Sequence, residues 1–140
     1  MAGIHGDLEA WVRRLIQITP VDFVVLEGLR TLERQAQLIA SGASQTFKSR
    51  HLTGHAVDLG AWVGTVRWDM GLYYQIADAG RQACLETGIP IRWGGAWARL
   101  ETSASAADLV ADYAADCRKA GRSAFIDAPH FELPAARYPA

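Results

Sequence analysis

Ser49-Arg50-His51-Leu52-Thr53-Gly54-His55-Ala56-Val57-Asp58 puts two imidazoles and a carboxylate into one short run, in a chain that has four histidines in all. The run lies between a polar loop and an apolar segment, and that density marks a site. Imidazole nitrogen and carboxylate oxygen are ordinary zinc ligands, so His51 and Asp58 are the first-choice pair. From His55 to Val63 the residues suit a strand, in which side chains two apart share a face. Ala56, Asp58 and Gly60 then point one way, and His55, Val57 and Leu59 the other. Small neighbours leave room for a metal beside Asp58, whereas His55 faces the apolar side and drops out as a ligand. A helical reading, with His51 and His55 as an i, i+4 zinc pair, is disfavoured by Gly54 and by the lack of a glutamate between them. A metal still needs a third group. His130, in Asp127-Ala128-Pro129-His130-Phe131-Glu132, is the best remaining candidate, and the set implies a zinc hydrolase.

Outward from this stretch the chain alternates helical and extended patterns. Asp7 can cap a helix with Leu8, Trp11, Val12, Leu15 and Ile16 at helical spacing, stopped by Pro20. Val21 to Glu27 is rich in β-branched and aromatic residues and reads as a buried strand closed by Gly28. A second helix is expected from Thr31 to Ala40 with Leu32, Ala36 and Ile39 on its inner side, followed by a loop from Ala43 to Lys48. A third spans Asp69 to Thr87, with Leu72, Ile76, Ala79, Ala83 and Cys84 as its stripe and Gly88 as its stop. Ile89 to Trp93 is short and extended and leads into Gly94-Gly95, where the chain turns or approaches another group closely. Thr102 to Ala107 reads as a flexible joint before a fourth helix from Ser105 to Ala120. Ala124 to Ile126 and His130 to Leu133 look like strand pieces around Asp127-Ala128-Pro129. The sum is an α+β fold, a small antiparallel sheet covered by helices.

The 140 residues fit a single domain, 1–140, able to bury its own core. Half of the residues are apolar and the formal net charge is -1, so nucleic acid and anionic membrane are not favoured partners. No apolar run approaches the roughly 18 residues of a bilayer span. Cys84 and Cys117 fall in helical segments without metal-motif spacing and read as buried free thiols. Met1 to Asp7 lacks a basic start followed by an apolar run, so no signal peptide is expected and the chain starts in the cytoplasm.

Ser49-x-His51-x-x-Gly54-x-Ala56-x-Asp58, then Trp93-Gly94-Gly95-x-Trp97, then Asp127-x-Pro129-His130-Phe131, resembles the zinc-dependent D-Ala-D-Ala carboxypeptidase and L-alanyl-D-glutamate peptidase family of cell-wall enzymes. The nearest likeness is to the compact endolysins of bacteriophages, and it runs from Glu27-Gly28-Leu29-Arg30 nearly to the C-terminus. The resemblance implies a Hedgehog/DD-peptidase-like fold with a zinc site in a cleft on the sheet. It implies His51, Asp58 and His130 as zinc ligands, Asp127 as catalytic base and Arg30 as the residue that stabilises charge on the scissile carbonyl. The expected substrate is the peptide stem of peptidoglycan, cut at the L-Ala-D-Glu bond, with a D-alanyl-D-alanine carboxypeptidase or dipeptidase as the alternative within the same chemistry. It further implies a monomer that acts on the wall after release through membrane holes made by a holin-type partner. Two departures stand out: Ala96 occupies a position in the Trp-Gly-Gly-x-Trp element that is often acidic, and Arg99 to Ser123 is longer than in compact members.

The chemistry is coherent on its own terms. Three protein ligands leave one zinc position open for water, whose pKa the metal lowers to about 7. Asp127, three residues before His130, can take a proton from water and pass it to the leaving amine. Each residue has a simpler rival role. Asp127 is also a common turn residue before proline, and Arg30 can merely pair with Glu27. Ser49 reads as a loop hydroxyl that hydrogen-bonds near the substrate or a ligand and not as a nucleophile. Trp93 and Trp97 are candidates to line the cleft and stack on substrate, with core packing as the alternative. A non-catalytic binding module with a structural zinc is the rival of another class; it predicts a closed fourth position and no need of Asp127.

Overall fold

A computed structural model describes residues 2–44 and 49–139. The expected loop from Ala43 to Lys48 falls largely outside the described residues. Four α-helices and one six-stranded antiparallel sheet make up the described part. In chain order they are α1 (Gly6–Ile18), β1 (Phe23–Glu27), α2 (Leu32–Ala40), a 3-10 turn (Arg50–Thr53), β2 (Ala56–Trp62), β3 (Val66–Arg67), α3 (Met70–Thr87), β4 (Arg92–Trp93), β5 (Ala98–Arg99), α4 (Ala106–Lys119) and β6 (His130–Glu132). The sheet order is β1-β2-β6-β4-β5, with β3 paired to β2.

Alternation along the central strands divides the sheet into two faces. Val57, Leu59 and Ala61 of β2, Phe131 of β6 and Trp93 of β4 are buried in the core with Leu8, Trp11 and Leu15 of α1 and Ile76 and Ala83 of α3. Asp58, His130, Glu132 and Arg92 alternate with them and so point to the opposite face. The register sets Asp58 opposite His130 and Arg92 opposite Glu132, so one strand pairing after another builds the cleft. Buried Cys84 and Cys117 carry free thiols, and burial pushes the Cys84 thiol up to about 12. No helix among the described residues is long and apolar enough to cross a membrane.

Several local expectations change. His5 and not Asp7 caps α1: its Nδ1 accepts from Asp7 N at 3.0 Å. The strand expected from Val21 is shorter, and it is an edge strand whose Val24, Val25 and Leu26 are exposed, because only β2 pairs with it. Helix α2 buries Gln35 instead of Leu32, which is 68% exposed, since the helix lies beside a polar cluster and not on the core. Tyr73, Ala77 and Gly80 replace Leu72 and Ala79 among the buried residues of α3. Ala124 to Ile126 is not a strand; Phe125 is held by Tyr113 of α4, whose hydroxyl accepts from Phe125 N at 3.0 Å. The long Arg99 to Ser123 segment thus completes β5 and forms α4, whose Tyr113 holds Phe125 two residues before Asp127.

Candidate metal centre and active site

The ligand triangle forms where the 3-10 turn meets the sheet. Ser49 caps that turn, its Oγ accepting from His51 N at 3.3 Å. Gly54 ends it with φ 75°, and a Cβ there would collide with Gly3 O, so the reversal into β2 requires glycine. Two strand positions later Asp58 faces His130 across the β2–β6 pair. His51 Nε2 lies 3.1 Å from Asp58 Oδ1 and 3.2 Å from His130 Nδ1, and His130 Nδ1 lies 3.4 Å from Asp58 Oδ1. These three residues could hold one metal ion. The spacing suits zinc, since a tetrahedral site with bonds of about 2.0–2.1 Å has ligand separations near 3.3 Å.

The remaining ring nitrogens fix the tautomers. His51 Nδ1 donates to Gly28 O at 2.9 Å, leaving the Nε2 lone pair toward the centre. His130 Nε2 is 2.7 Å from Glu132 Oε1, which directs Nδ1 the same way. Acceptors behind ligating imidazoles orient the ring and raise its basicity. Burial disfavours protonated His130, but the hydrogen bonds it donates to Asp58 and Glu132 outweigh that and push the metal-free imidazole up to about 9. Burial likewise opposes ionised Asp58, yet His130 and His51 hold its carboxyl well below the usual range.

Asp127 enters by a backbone zipper. His130 N donates to Asp127 O at 3.1 Å, closing the proline turn. Gly94 N donates to His130 O at 2.8 Å and Asp127 N to Gly94 O at 2.9 Å. A Cβ on Gly94 would sit 2.5 Å from Asp127 O and 2.9 Å from the His130 Cβ, so this close approach explains the first glycine of the pair. The Asp127 carboxylate lines the cleft, with no hydrogen-bond donor on it among the described residues. Burial first, and then the nearby Asp58 charge, raises its pKa. A half-buried, unpaired carboxylate beside a metal-binding triangle is suited to accept a proton.

The other sequence candidates separate. Trp97 lines the cleft of about 890 Å³, its ring centroid 5.3 Å from that of His130. Trp93 does not: its indole is fully buried, packs on Phe131, and donates Nε1–H to Ala128 O at 2.7 Å. It supports the Asp127 turn from the core and cannot stack on substrate. Ala96 is also buried in the core, so no polar side chain reaches the cleft from that position. His55 lies outside the ligand triangle, its Nδ1 2.7 Å from Thr53 Oγ1.

Arg30 is at the cleft, but each of its five N–H groups has a protein acceptor. Nε and Nη2 grip Glu27 at 2.8 and 2.9 Å, Nη1 donates to Gln35 Oε1 at 2.7 Å, and longer bonds reach Ser49 Oγ at 3.3 Å and Asp58 Oδ2 at 3.4 Å. That arrangement steadies Asp58 and restricts the free hydrogen-bonding capacity for a carbonyl. The pairing of Arg30 with Glu27 is the alternative the sequence offered, whereas Glu132, Gln35 and Arg92 were not singled out from it. Glu132 had a readable signal, since it stands two residues after His130 in a strand and so shares its face; Gln35 had none.

An antiparallel sheet carrying a His-Asp-His cluster that could hold a metal ion, with an unpaired carboxylate in the same cleft, has the make-up of a metal-dependent hydrolase. The chain belongs to the phage L-alanyl-D-glutamate peptidase family, whose model matches residues 1–134. It is 34% identical over 102 residues to the L-alanyl-D-glutamate peptidase of Escherichia phage T5, covering 69% of this chain and 74% of that one. It is 38% identical over 79 residues to the L-alanyl-D-glutamate peptidase of Listeria phage A118, which is 55% of this chain and 27% of that longer protein. Among solved structures it matches the Serratia marcescens L-Ala D-Glu endopeptidase ChiX with a TM-score of 0.74 and 39% identity, over 99% of this chain and 86% of that one.

Proposed function

We propose that this protein is a zinc peptidase that hydrolyses the L-Ala-D-Glu bond in the peptide stem of peptidoglycan, as a phage endolysin. The observation that carries the reading is the convergence of His51, Asp58 and His130 with the unpaired Asp127 in one cleft, in a chain of this family. His51, Asp58 and His130 would hold the zinc, which when bound would supply Lewis-acid activation of water and of the scissile carbonyl. Asp127 takes a proton from the attacking water and returns it to the nitrogen of the leaving glutamate. His51 and His130 are held in the right tautomers by Gly28 O and Glu132, so no reorientation is needed on loading. Arg30 acts on Asp58, keeping the carboxylate placed between the two imidazoles. Trp97 and Ser49 line the cleft where the stem peptide lies.

Digestion of purified peptidoglycan followed by mass spectrometry tests this. New amino termini on D-Glu are expected. Release of D-Ala with intact Ala-Glu bonds would replace the reading by a carboxypeptidase, and undigested material with metal-loaded protein would overturn both.

A further inference from the structure

Four arginines line the cleft, and they differ in how they are held. Arg30 has all five N–H groups paired; Arg50 gives Nη2 to Leu133 O at 2.9 Å and Tyr138 O at 2.6 Å. Arg34 lies on the largely exposed α2, 3.9 Å from Glu27. Arg92 differs. It stands on β4 opposite Glu132, with its guanidinium 5.0 Å from the centre of the Trp97 ring. Its Nε donates to Trp97 O at 3.3 Å, its Nη1 has only a long 3.5 Å contact to Glu132 Oε2, and its Nη2 has no protein acceptor among the described residues. Glu132 directs its other oxygen to His130 Nε2 at 2.7 Å, so the imidazole shares that carboxylate with Arg92.

Trp97, which carries this arginine, is built in at a backbone cost. It has φ 50°, the single positive φ at a non-glycine position among the described residues. Its indole Nε1–H donates to Phe125 O at 2.7 Å and its ring stacks on Phe125 with an interplanar angle of 8°. A strained residue persists only where its surroundings over-determine it, and such residues cluster at ligand-holding sites. The result is a preorganised plate, 5.3 Å from the His130 ring, on which a cation is laid with one edge open to the cleft.

The direction of the reaction says what that cation meets. Resting on the function proposed above, Asp127 hands its proton to the leaving amine, so the leaving half lies against the wall that carries Asp127, Trp97 and Arg92. The residue there is a glutamate, whose two carboxyl groups exceed the one needed to continue the chain. We propose that Arg92, seated on Trp97, recognises a free carboxylate of the leaving half and makes the enzyme prefer a carboxylate there over a carboxamide. Guanidinium and carboxylate match in charge and in paired hydrogen-bond geometry, while a carboxamide offers neither the charge nor the second acceptor.

The test uses three synthetic stem peptides with metal-saturated enzyme: the acid, the peptide with the glutamate carboxyl amidated, and the peptide with the next residue's carboxyl amidated. Wild type is expected to show kcat/KM about 10- to 100-fold higher on the acid than on at least one amide, and the amide that loses identifies which carboxylate is read. Arg92→Gln should bring that ratio to within about threefold of one, and Arg92→Lys should retain part of it. A preference that survives Arg92→Gln, or its absence in wild type, overturns the subsite. So does an equal loss on all three peptides, because an arginine that merely supports Glu132 and His130 would act on every substrate alike. Metal content and melting temperature of both variants show that the site is intact, and Arg92→Lys carries the test if Arg92→Gln does not fold. Cleavage of none of the peptides at the Ala-Glu bond by wild type would instead overturn the proposed function, and the two failures are distinct.

Discussion

On the β1–α2 side of the cleft, Glu27, Gln35, Ser49 and Asp58 all accept from one guanidinium, whereas on the β4–β6 side the Asp127 turn is zipped to Gly94 by backbone bonds and backed by Trp93. The first wall spends its charge internally. The second fixes its shape with groups that carry no charge and leaves Asp127 and one edge of Arg92 open to the cleft. Ion pairs between buried side chains roughly offset their own desolvation, so the first wall is best understood as a device for placing Asp58. Backbone hydrogen bonds and a buried indole hold geometry without competing for substrate, which suits the wall that meets the reacting bond. In the proposed mechanism the reactive groups therefore belong to the second wall, and the three candidate metal ligands bridge both.

The strongest way to break this contrast is to remove the free carboxylate. Asp127→Asn is expected to lower kcat by about 1,000-fold while metal content stays at that of the wild type; activity within tenfold would remove Asp127 as the base. Next in size is the acceptor behind His130. Glu132→Gln keeps shape but loses charge, and metal affinity should weaken by about 10- to 100-fold in a competition titration with a chelator. An unchanged affinity would mean that Glu132 serves only Arg92. On the opposite wall, Arg30→Lys keeps charge and loses the fork on Glu27, and at saturating metal it should cost no more than about tenfold in kcat. A loss as large as that of Asp127→Asn would show that Arg30 touches the reacting carbonyl, as the family resemblance implied, and the division of labour between the walls would fail.

The same contrast explains what was legible in the sequence. His51, Asp58 and their separation from His55 followed from a turn at Gly54 and a period of two, both local properties. His130 was the best remaining candidate for a third ligand, and the role of Asp127 came with the family resemblance of the short proline-containing run that holds both. The role of Trp93 did not follow, because whether an indole faces core or cleft depends on which strand β4 pairs with, and that partner is some forty residues away in β6. Arg30 was visible as a cation near the motif, but its saturation depends on Gln35, an inward-facing polar residue on a helix whose apolar positions pointed to the other side. Burial of Gln35 is a tertiary choice: an arginine that needs acceptors overrode the amphipathic pattern of α2.

The smallest expected effect concerns stability without metal. His130 has an ordinary value of 6.5 and is pushed to about 9 in the metal-free fold, against burial, by Asp58 and Glu132. A group whose folded value is raised binds a proton more tightly when folded, so its contribution is fully present below pH 6.5 and is lost as pH rises through 9. Asp58 and Glu132, both held below their ordinary values, are ionised throughout this window and add no slope of their own. The melting temperature of chelator-treated protein should therefore fall between pH 6.5 and 9.5, by about 4 °C for each ~1 kcal/mol lost in a domain of this size. Glu132→Gln removes one of the two carboxylates and should flatten the slope, whereas Arg30→Lys on the other wall should leave it in place. Saturating zinc should remove the part of the fall due to His130, because a ligating imidazole has already given up that proton, and leave only the shallow slope near pH 9 from the buried Cys84 thiol. A melting temperature that rises across the window in the metal-free wild type would show that Asp58 and Glu132 do not hold a protonated His130, and that the second wall is not the pH-sensitive one.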